Sequence, residues 1–298
     1  MTTDSSVLEI SRPGSDTPIR ITPLSDALGA EITGLDLTGP VTGNDLELIR
    51  SAFLEYHLLC FRSQPLTAAD FSRVARYFGE PQFQLLRHQR VDEVPEVSIL
   101  ESTYTSAEDK PDDLQLVRLS GWHTDDSYFE IPAKATVLQI LARPSSGGET
   151  RFCNTGKAYE DLSDEMKQRL SALKAVHGYD TMRAPARAQA RNEVETQETP
   201  DVVHPLIRTH EDTGKKAIYF NPNRTDHIVG IDRKDSDELL DWLYAHFTQP
   251  KYRYDHQWQT GDILLWDNRC LIHSVNTDFP VGEPRIHQRI LLKGTRPV

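Results

Sequence analysis

The sequence has few cysteines, no long apolar segment and no excess of basic residues. Its three cysteines are an odd number and none forms a Cys-x-x-Cys pair, so a zinc–thiolate site is not indicated and a reducing compartment fits. A membrane helix needs about 20 consecutive apolar residues, and a signal peptide needs a basic segment followed by an apolar one. Neither pattern is present, so we expect a cytoplasmic protein that does not span a membrane.

Acidic residues outnumber basic ones, with 45 Asp and Glu against 33 Lys and Arg, which gives a formal net charge of −12. This charge argues against a protein that binds nucleic acid through a broad basic surface. A chain of 298 residues suits one large or two small domains, and β-barrel enzymes of this length often form one. Because residues 1–17 are mostly polar, we expect a flexible tail there, followed by a single domain over 18–298.

Hydrophobic periodicity predicts that strands dominate the middle and the end of the chain. Apolar spacing and capping residues predict helices at 42–57, 67–79, 163–176 and 236–247. Strands are predicted at 58–62, 97–100, 134–141, 204–209 and 216–220. This order fits a mainly β fold with flanking helices, a double-stranded β-helix of the jelly-roll, cupin-like type. The connection at 181–200 is long for a compact enzyme, and we interpret it either as an active-site lid or as a surface excursion.

His123 and Asp125 stand two residues apart in the run Gly121-Trp122-His123-Thr124-Asp125-Asp126. On an extended segment, side chains two residues apart point to the same side, so the imidazole and the carboxylate would face one point. The same alternation would turn Asp126 away. An isolated His-x-Asp is common by chance, but here the C-terminal half supplies a second histidine, His273, in a suitable context.

His273 follows a turn and an apolar strand predicted at 261–266. Two histidines and one carboxylate form the face that holds non-haem Fe(II) and leaves the opposite coordination positions open. Arg285 comes 12 residues later, so a hairpin could return its side chain to the metal. A guanidinium group can form a bidentate ion pair with a carboxylate in a partly dry site. The three ligands together with Arg285 therefore predict Fe(II) with a dicarboxylate co-substrate, 2-oxoglutarate. The oxidant would be O2.

Short motifs are spread along the chain: LGAEI at 28–32, FGE at 78–80, WHTD at 122–125, GGET at 147–150, HPL at 204–206, TGK at 213–215 and WDNR at 266–269. With His273 and Arg285, they make the chain resemble a known family over about residues 20–296. This is the taurine dioxygenase and 2,4-dichlorophenoxyacetate dioxygenase (TauD/TfdA) family of Fe(II)- and 2-oxoglutarate-dependent oxygenases.

The resemblance implies that His123, Asp125 and His273 are the iron ligands. It also implies that Thr150 and Arg285 bind the distal carboxylate of 2-oxoglutarate. Arg289 matches the position at which the taurine and phenoxyacetate enzymes hold the anionic head of their substrate. An offset of four residues on a strand would place Arg289 on the same face as Arg285.

Three positions differ from the taurine enzyme. Gln84 stands in place of a histidine, Leu119 in place of an asparagine, and Arg224 in place of an aromatic residue. These differences argue against taurine as the substrate. We expect the three residues to line the substrate pocket with Arg289 and Tyr128, which follows the His-x-Asp motif.

The sequence therefore predicts a dioxygenase that hydroxylates a small anionic organic molecule, or cleaves it after hydroxylation, with release of succinate and CO2. Desaturation or cyclisation in a natural-product pathway is one alternative. A non-catalytic jelly-roll protein that binds a metal or a small ligand is another, and a zinc hydrolase, which needs a general base beside a metal-bound water, is a third. We expect no nucleic-acid or membrane partner, and a homo-oligomer, either a dimer or a tetramer.

Overall fold

The computed structural model of the protein describes residues 7–12, 15–104, 121–183 and 191–298. The strands are β1 Leu8–Arg12, β2 Ser15–Pro23, β3 Ala30–Thr33, β4 Leu58–Phe61, β5 Pro81–Gln82, β6 Ser98–Glu101, β7 Ala133–Ala142, β8 Thr150–Asn154, β9 Lys174–His177, β10 Val202–Pro205, β11 Ile207–Thr209, β12 Lys216–Ile218, β13 Thr225–Ile228, β14 Arg253–His256, β15 Ile263–Asp267, β16 Leu271–Val275 and β17 Ile286–Lys293. The helices are α1 Gly43–Tyr56, α2 Ala68–Ala75, α3 Thr155–Glu160, α4 Asp164–Ser171, α5 Glu193–Gln197 and α6 Arg233–Phe247.

Two sheets form the centre of the molecule. The large sheet has the strand order β1-β2-β3-β4-β15-β7-β17-β5, with β6 also paired to β17, and the smaller one has the order β14-β8-β16. Apolar side chains from both sheets belong to one buried cluster, in which Leu264 and Trp266 of β15 meet Phe152 of β8 and Leu271 of β16. The two sheets therefore face each other across a shared interior, as in the predicted double-stranded β-helix, and the fold prediction is confirmed.

Alternation along the strands assigns each face of the large sheet to a different core. Ile263 and Leu265 of β15 belong to a second buried cluster, on the opposite face of the strand from Leu264 and Trp266. That second cluster includes buried residues of α1 and α2, such as Phe53. The helices therefore cover the outer face of the large sheet, which leaves its inner face for the barrel interior.

The smaller sheet is covered by α6. Leu239, Leu243 and Phe247 of this helix pack in a third buried cluster with Cys153 of β8 and Ile272 of β16. Asp232 caps the helix, because its side chain accepts a hydrogen bond from the backbone N–H of Lys234 at 2.9 Å. No helix within the described ranges is long and apolar enough to cross a membrane.

Several predicted elements are found with shifted bounds, and two predictions differ from the structure. The helix expected at 163–176 ends at Ser171, and the chain then enters β9, which pairs with β10 and β13. In the tail expected at 1–17, Leu8–Arg12 instead pairs antiparallel with β2. In the segment 181–200, α5 is well defined, with Asn192 and Glu195 forming a capping box, while 184–190 lie outside the described residues.

Candidate metal and co-substrate site

The two histidines of the predicted triad meet through their backbones. The N–H of His123 donates to the carbonyl oxygen of His273 at 2.8 Å, and the N–H of His273 donates to the carbonyl oxygen of His123 at 2.7 Å. His123 thus forms an isolated antiparallel bridge with β16, and the two imidazole centroids lie 4.1 Å apart. This pairing brings together residues that are 150 positions apart in the sequence.

Asp125 completes the group from a turn rather than from a strand. Its Oδ1 lies 3.9 Å from Nε2 of His123, and its Oδ2 lies 3.9 Å from Nε2 of His273. Bonds from a metal to nitrogen or oxygen are about 2.1 Å long, so two ligand atoms on one ion lie at most about 4.2 Å apart. Both distances meet this limit, and the ligand atoms of all three residues lie within 4.8 Å of one another.

The protonation states also suit a divalent cation. Nδ1 of His123 lies 2.9 Å from the carbonyl oxygen of Gly121, an arrangement that leaves Nε2 free as a ligand. Burial, together with the neighbouring His123, lowers the pKa of His273 to about 3, so its imidazole is neutral at physiological pH. Burial alone would raise the pKa of Asp125, but His273 and Arg289 lower it below its ordinary value, and the carboxyl group is ionised. Two neutral imidazoles and one carboxylate therefore fit Fe(II).

A chain of hydrogen bonds fixes the carboxylate of Asp125. Oγ1 of Thr136 donates to its Oδ2 at 2.6 Å, and Nδ2 of Asn268 donates to Oγ1 of Thr136 at 2.8 Å. Nε1 of Trp266 in turn donates to Oδ1 of Asn268 at 3.0 Å. Asn268 therefore supports Asp125 through Thr136, a residue on β7 to which no sequence motif points.

Two other groups of possible metal ligands occur among the described residues: His57, His210, Asp267 and Cys270, and Cys60, His256 and Asp262. In each of them an arginine already binds the carboxylate. Arg269 donates to Asp267 at 2.7 Å, and Arg62 donates to Asp262 at 2.5 Å. In the described part of the chain, the nearest guanidinium nitrogen to Asp125 is 3.6 Å away, beyond hydrogen-bond distance. Asp125 is thus the carboxylate of the three that is most available to a cation.

Arg285 and Thr150 lie together, and Thr150 is on β8, where it pairs with Val275, two residues from His273 on β16. Nη2 of Arg285 donates to Oγ1 of Thr150 at 3.2 Å, and Nε donates to the carbonyl oxygen of Gly148 at 3.0 Å. Trp258, a further residue that the sequence analysis did not identify, donates from Nε1 to the same Thr150 oxygen at 3.1 Å. Burial lowers the pKa of Arg285 to about 10, yet the group remains a cation at neutral pH. A buried cation beside a hydroxyl group is suited to bind a carboxylate.

The route by which Arg285 reaches the site differs from the expected hairpin. β16 belongs to the smaller sheet, whereas β17, which begins one residue after Arg285, belongs to the large sheet. The chain therefore crosses the barrel between the two strands. Arg285 is directed to Thr150, and Arg289, on β17, is directed to Asp125.

A cavity of about 170 Å³ opens beside His123 and Asp125. Four of the five residues expected to contact the substrate line this cavity. Its described lining residues are Gln84, Leu86, Gln89, Leu100, His123, Thr124, Asp125, Asp126, Tyr128, Tyr179, Arg224 and Arg289. The fifth, Leu119, lies outside the described residues. Oε1 of Gln84 is buried and has no hydrogen-bond partner among the described residues, so it can accept a hydrogen bond inside the cavity.

The orientation of Asp126 differs from the one expected from the sequence. It lines the cavity instead of pointing away, because the backbone turns at this residue with φ 58° and the alternation of a strand does not apply. Its oxygens accept hydrogen bonds from Nε2 of Gln82 at 2.6 Å and from the hydroxyl of Tyr128 at 2.9 Å. Burial and the charge of Asp125 raise the pKa of Asp126 to about 6.

Comparison with known proteins gives the family. The family model described as "Taurine catabolism dioxygenase TauD, TfdA family" matches residues 20–291. An (S)-phenoxypropionate/alpha-ketoglutarate-dioxygenase of Sphingobium herbicidovorans is 32% identical over 91% of this chain and 94% of its own length. An alpha-ketoglutarate-dependent sulfate ester dioxygenase of Pseudomonas putida is 29% identical over 93% of this chain and 90% of its own length.

Solved structures agree with the sequence comparisons. A taurine dioxygenase from Burkholderia xenovorans superposes with a TM-score of 0.80 at 31% identity, and the match covers 94% of this chain and 91% of that one. The protein belongs to the TauD/TfdA family and is an Fe(II)- and 2-oxoglutarate-dependent dioxygenase.

Proposed function

We propose that His123, Asp125 and His273 hold Fe(II), and that Arg285 and Thr150 bind the distal carboxylate of 2-oxoglutarate. The observation that carries this assignment is the convergence of the three ligand atoms, together with a buried Arg285 held against Thr150 on β8, the strand that pairs with the strand of His273. When bound there, iron and 2-oxoglutarate supply an O2-dependent oxidation that yields succinate, CO2 and an oxidised substrate.

The protein's own residues position these components and exclude water. Thr136 and Asn268 hold the carboxylate of Asp125 in one orientation through their hydrogen bonds. Trp258 holds the hydroxyl of Thr150, and the carbonyl of Gly148 holds Nε of Arg285. Because these supporting groups are buried, the geometry is set before the ligands enter.

The substrate in this proposal is a small organic anion that enters the cavity beside His123 and Asp125. Arg289 supplies the positive charge, and Gln84, Tyr128 and Arg224 complete the binding surface. Hydroxylation of the substrate is the expected outcome. Hydroxylation next to a heteroatom would be followed by bond cleavage, and desaturation or cyclisation is the alternative outcome.

We further propose that residues 18–298 form one catalytic domain and that the segment 181–200 covers the cavity. Arg87, beside the cavity-lining Leu86, is linked to α5 because its backbone N–H donates to Oε1 of Glu195 at 3.2 Å, and its Nη2 donates to Glu198, just after the helix, at 2.7 Å. The three cysteines are buried and free, in keeping with the cytoplasmic location that the sequence predicts. A homo-oligomer, dimer or tetramer, also stays a prediction.

The test is turnover with a panel of carboxylates, sulfonates and sulfate esters. We expect one or more of them to raise O2 consumption and succinate formation in equal amounts. The Asp125→Ala variant should lose this stimulation, while circular dichroism shows that it is folded. Absence of succinate across the panel would support a protein that binds without turnover, and product formation without O2 would support a hydrolase.

A further inference from the structure

We propose that the substrate carries two anionic groups joined by a short carbon body, and that Arg289 and Arg224 each bind one of them. This inference rests on the proposed function, because it assigns a charge and a size to the substrate of the same site. Such a substrate differs from one that has an apolar body and a single anionic head.

Arg289 is a mostly buried cation that has no hydrogen-bonded counterion among the described residues. Its side chain is 14% exposed, and its Nε is buried with no hydrogen-bond partner among the described residues. Within the described ranges, the one carboxylate at ion-pair distance from Arg289 is that of Asp125, at 3.6 Å. A bound metal ion would share the charge of this carboxylate, so Arg289 needs a further anion to offset its desolvation.

Arg224 is a second cation on the wall of the same cavity. Its guanidinium carbon lies 4.1 Å from the ring centroid of Tyr179 and 4.9 Å from that of Tyr128. Its Nη1 donates to the carbonyl oxygen of Tyr179. In the described part of the chain, no carboxylate oxygen lies within 4.0 Å of its nitrogens. The two rings and the carbonyl fix the guanidinium group, while Nε and Nη2 have no hydrogen-bond acceptor in the described protein.

Asp126 does not neutralise the two arginines by direct pairing. It lines the same cavity, but neutral donors occupy its oxygens, namely Nε2 of Gln82 and the hydroxyl of Tyr128. Its carboxyl group lies farther than 4.0 Å from the nitrogens of both Arg224 and Arg289. Each guanidinium group is thus left with its own open edge, and two separate anionic groups match this arrangement better than one.

The size and the lining of the cavity limit the body of the substrate. At about 170 Å³, the cavity is smaller than the 300–1,000 Å³ that is usual for pockets that bind drug-sized molecules. Among the described residues, the aliphatic side chains that line it are Leu86 and Leu100, and most other lining residues are polar. Leu85, by contrast, is directed into a buried cluster with Tyr128 and Tyr179 and does not line the cavity. A short aliphatic body fits this surface better than a large aromatic one.

The experiment compares matched monoanions and dianions under anaerobic conditions. The Fe(II)- and 2-oxoglutarate-loaded enzyme is titrated with ethanesulfonate and sulfoacetate, then with propanesulfonate and 3-sulfopropanoate, and binding is followed by the shift of the visible charge-transfer band. Each pair has the same sulfonate and nearly the same body, so the difference in affinity reports the second anionic group. We expect at least one dianion to bind about tenfold or more tightly than its monoanionic counterpart.

Arg224→Gln should reduce this preference to about twofold or less, because it weakens dianion binding more than monoanion binding, and Arg224→Lys should restore part of it. Arg76→Gln, at an exposed ion pair with Glu96, is the matched control and should keep the wild-type preference. Equal affinities for both members of each pair, or a preference that survives Arg224→Gln, would overturn the proposal. If the charge-transfer band is missing before any sulfonate is added, the metal and co-substrate assignment fails instead.

Discussion

The carboxylate of Asp125 is held by residues that no local motif reveals. Thr136 lies 11 positions along the chain and Asn268 lies 143 positions away, yet together they fix one oxygen of this side chain. The predicted ligands follow from their spacing and their chemistry. Their support could not be predicted, because it depends on which strands become neighbours in the barrel.

Replacing Thr136 by valine should loosen Asp125 without changing the volume of the side chain much. We expect the affinity for Fe(II) to fall about 10- to 100-fold, because a group that orients a metal ligand commonly has this effect. Anaerobic titration with Fe(II) measures the change. Thr33→Val, on β3 and away from the site, is the control. An unchanged affinity in Thr136→Val would show that the hydrogen bond to Asp125 does not matter for metal binding.

A substitution at Trp258 should change the affinity for 2-oxoglutarate but not the affinity for iron. Trp258→Phe keeps an aromatic ring but removes the N–H that donates to Oγ1 of Thr150. The dissociation constant of 2-oxoglutarate should rise about three- to tenfold, since one hydrogen bond contributes about 0.5–1.5 kcal/mol. Iron affinity should stay at the wild-type value. The matched control is Trp242→Phe, at a position that is 44% exposed on α6, and a similar effect in both variants would refute the role of Trp258.

Asp126 shows how a residue can be mispredicted by a rule that is sound elsewhere. Side chains alternate on a strand, but Asp125 and Asp126 lie in a turn, and φ of Asp126 is 58°. Residues 122–126 include no Gly or Pro, so the sequence does not indicate a turn there. The turn directly follows the backbone bridge between His123 and His273, which is a contact between distant segments.

At the level of elements, the turn at Gly147 and Gly148 determines where β8 begins and thus where Thr150 lies. Both glycines have positive φ, 70° and 74°. A Cβ atom on Gly147 would lie 1.8 Å from the carbonyl oxygen of Asp278, so this glycine is required by close backbone contact as well as by its conformation.

Gly147→Ala should therefore destabilise the protein by more than the conformational cost alone. Gly214 has the same φ of 70°, but a Cβ atom there would meet nothing within 4 Å, so Gly214→Ala isolates that cost, about 1 kcal/mol. We expect Gly147→Ala to lose at least about 2 kcal/mol more than Gly214→Ala, because backbone atoms must move. Chemical denaturation of both variants makes the comparison. Equal losses would mean that the turn adapts without strain.

A helix boundary can be predicted from the sequence when a local capping residue marks it. Thr67, whose hydroxyl accepts a hydrogen bond from the N–H of Asp70, begins α2 as predicted. The helix predicted at 236–247 begins three residues earlier, at Arg233, because Asp232 caps it. The helix predicted at 163–176 was too long, because 174–177 have both helical spacing and a strand partner on each side. Strand pairing with distant residues overrode the local pattern there.

At the scale of the whole molecule, buried neutral histidines link stability to pH. His204 is 1% exposed, and its Nε2 lies 3.0 Å from the carbonyl oxygens of both Ser127 and Phe129. Burial lowers its pKa to about 4, below the value of about 6.5 for an unfolded chain. Between these two values the unfolded state binds more protons, so stability is complete above pH 6.5 and is lost as the pH falls towards 4.

For His204 alone, this loss should amount to about 2 kcal/mol between pH 7 and pH 5. Denaturant unfolding of the metal-free protein at both pH values measures it. In His204→Gln, the difference in unfolding free energy between pH 7 and pH 5 should be smaller than in the wild type by about 2 kcal/mol, whatever the absolute stability of the variant. His88→Gln, at an exposed residue, should keep the wild-type dependence. If His204→Gln and the wild type lose the same free energy on acidification, His204 is not the linked group.

The overall architecture could be predicted because the number, spacing and apolar character of the strands limit the choices to a jelly roll. The division of the strands between two sheets could not, and this division explains why Arg285 approaches across the barrel instead of through a hairpin. The sequence indicates which residues carry chemistry, whereas the sheet partners decide which residues surround them.

The central claim is that this fold assembles an Fe(II) and 2-oxoglutarate site from His123, Asp125, His273 and Arg285. The most direct test is anaerobic titration of the metal-free protein with Fe(II) and 2-oxoglutarate, monitored for the weak visible metal-to-ligand charge-transfer band. The wild type should develop the band, Asp125→Ala should not, and Arg285→Gln should require a much higher concentration of 2-oxoglutarate. Absence of the band in folded wild-type protein with excess iron would contradict the account.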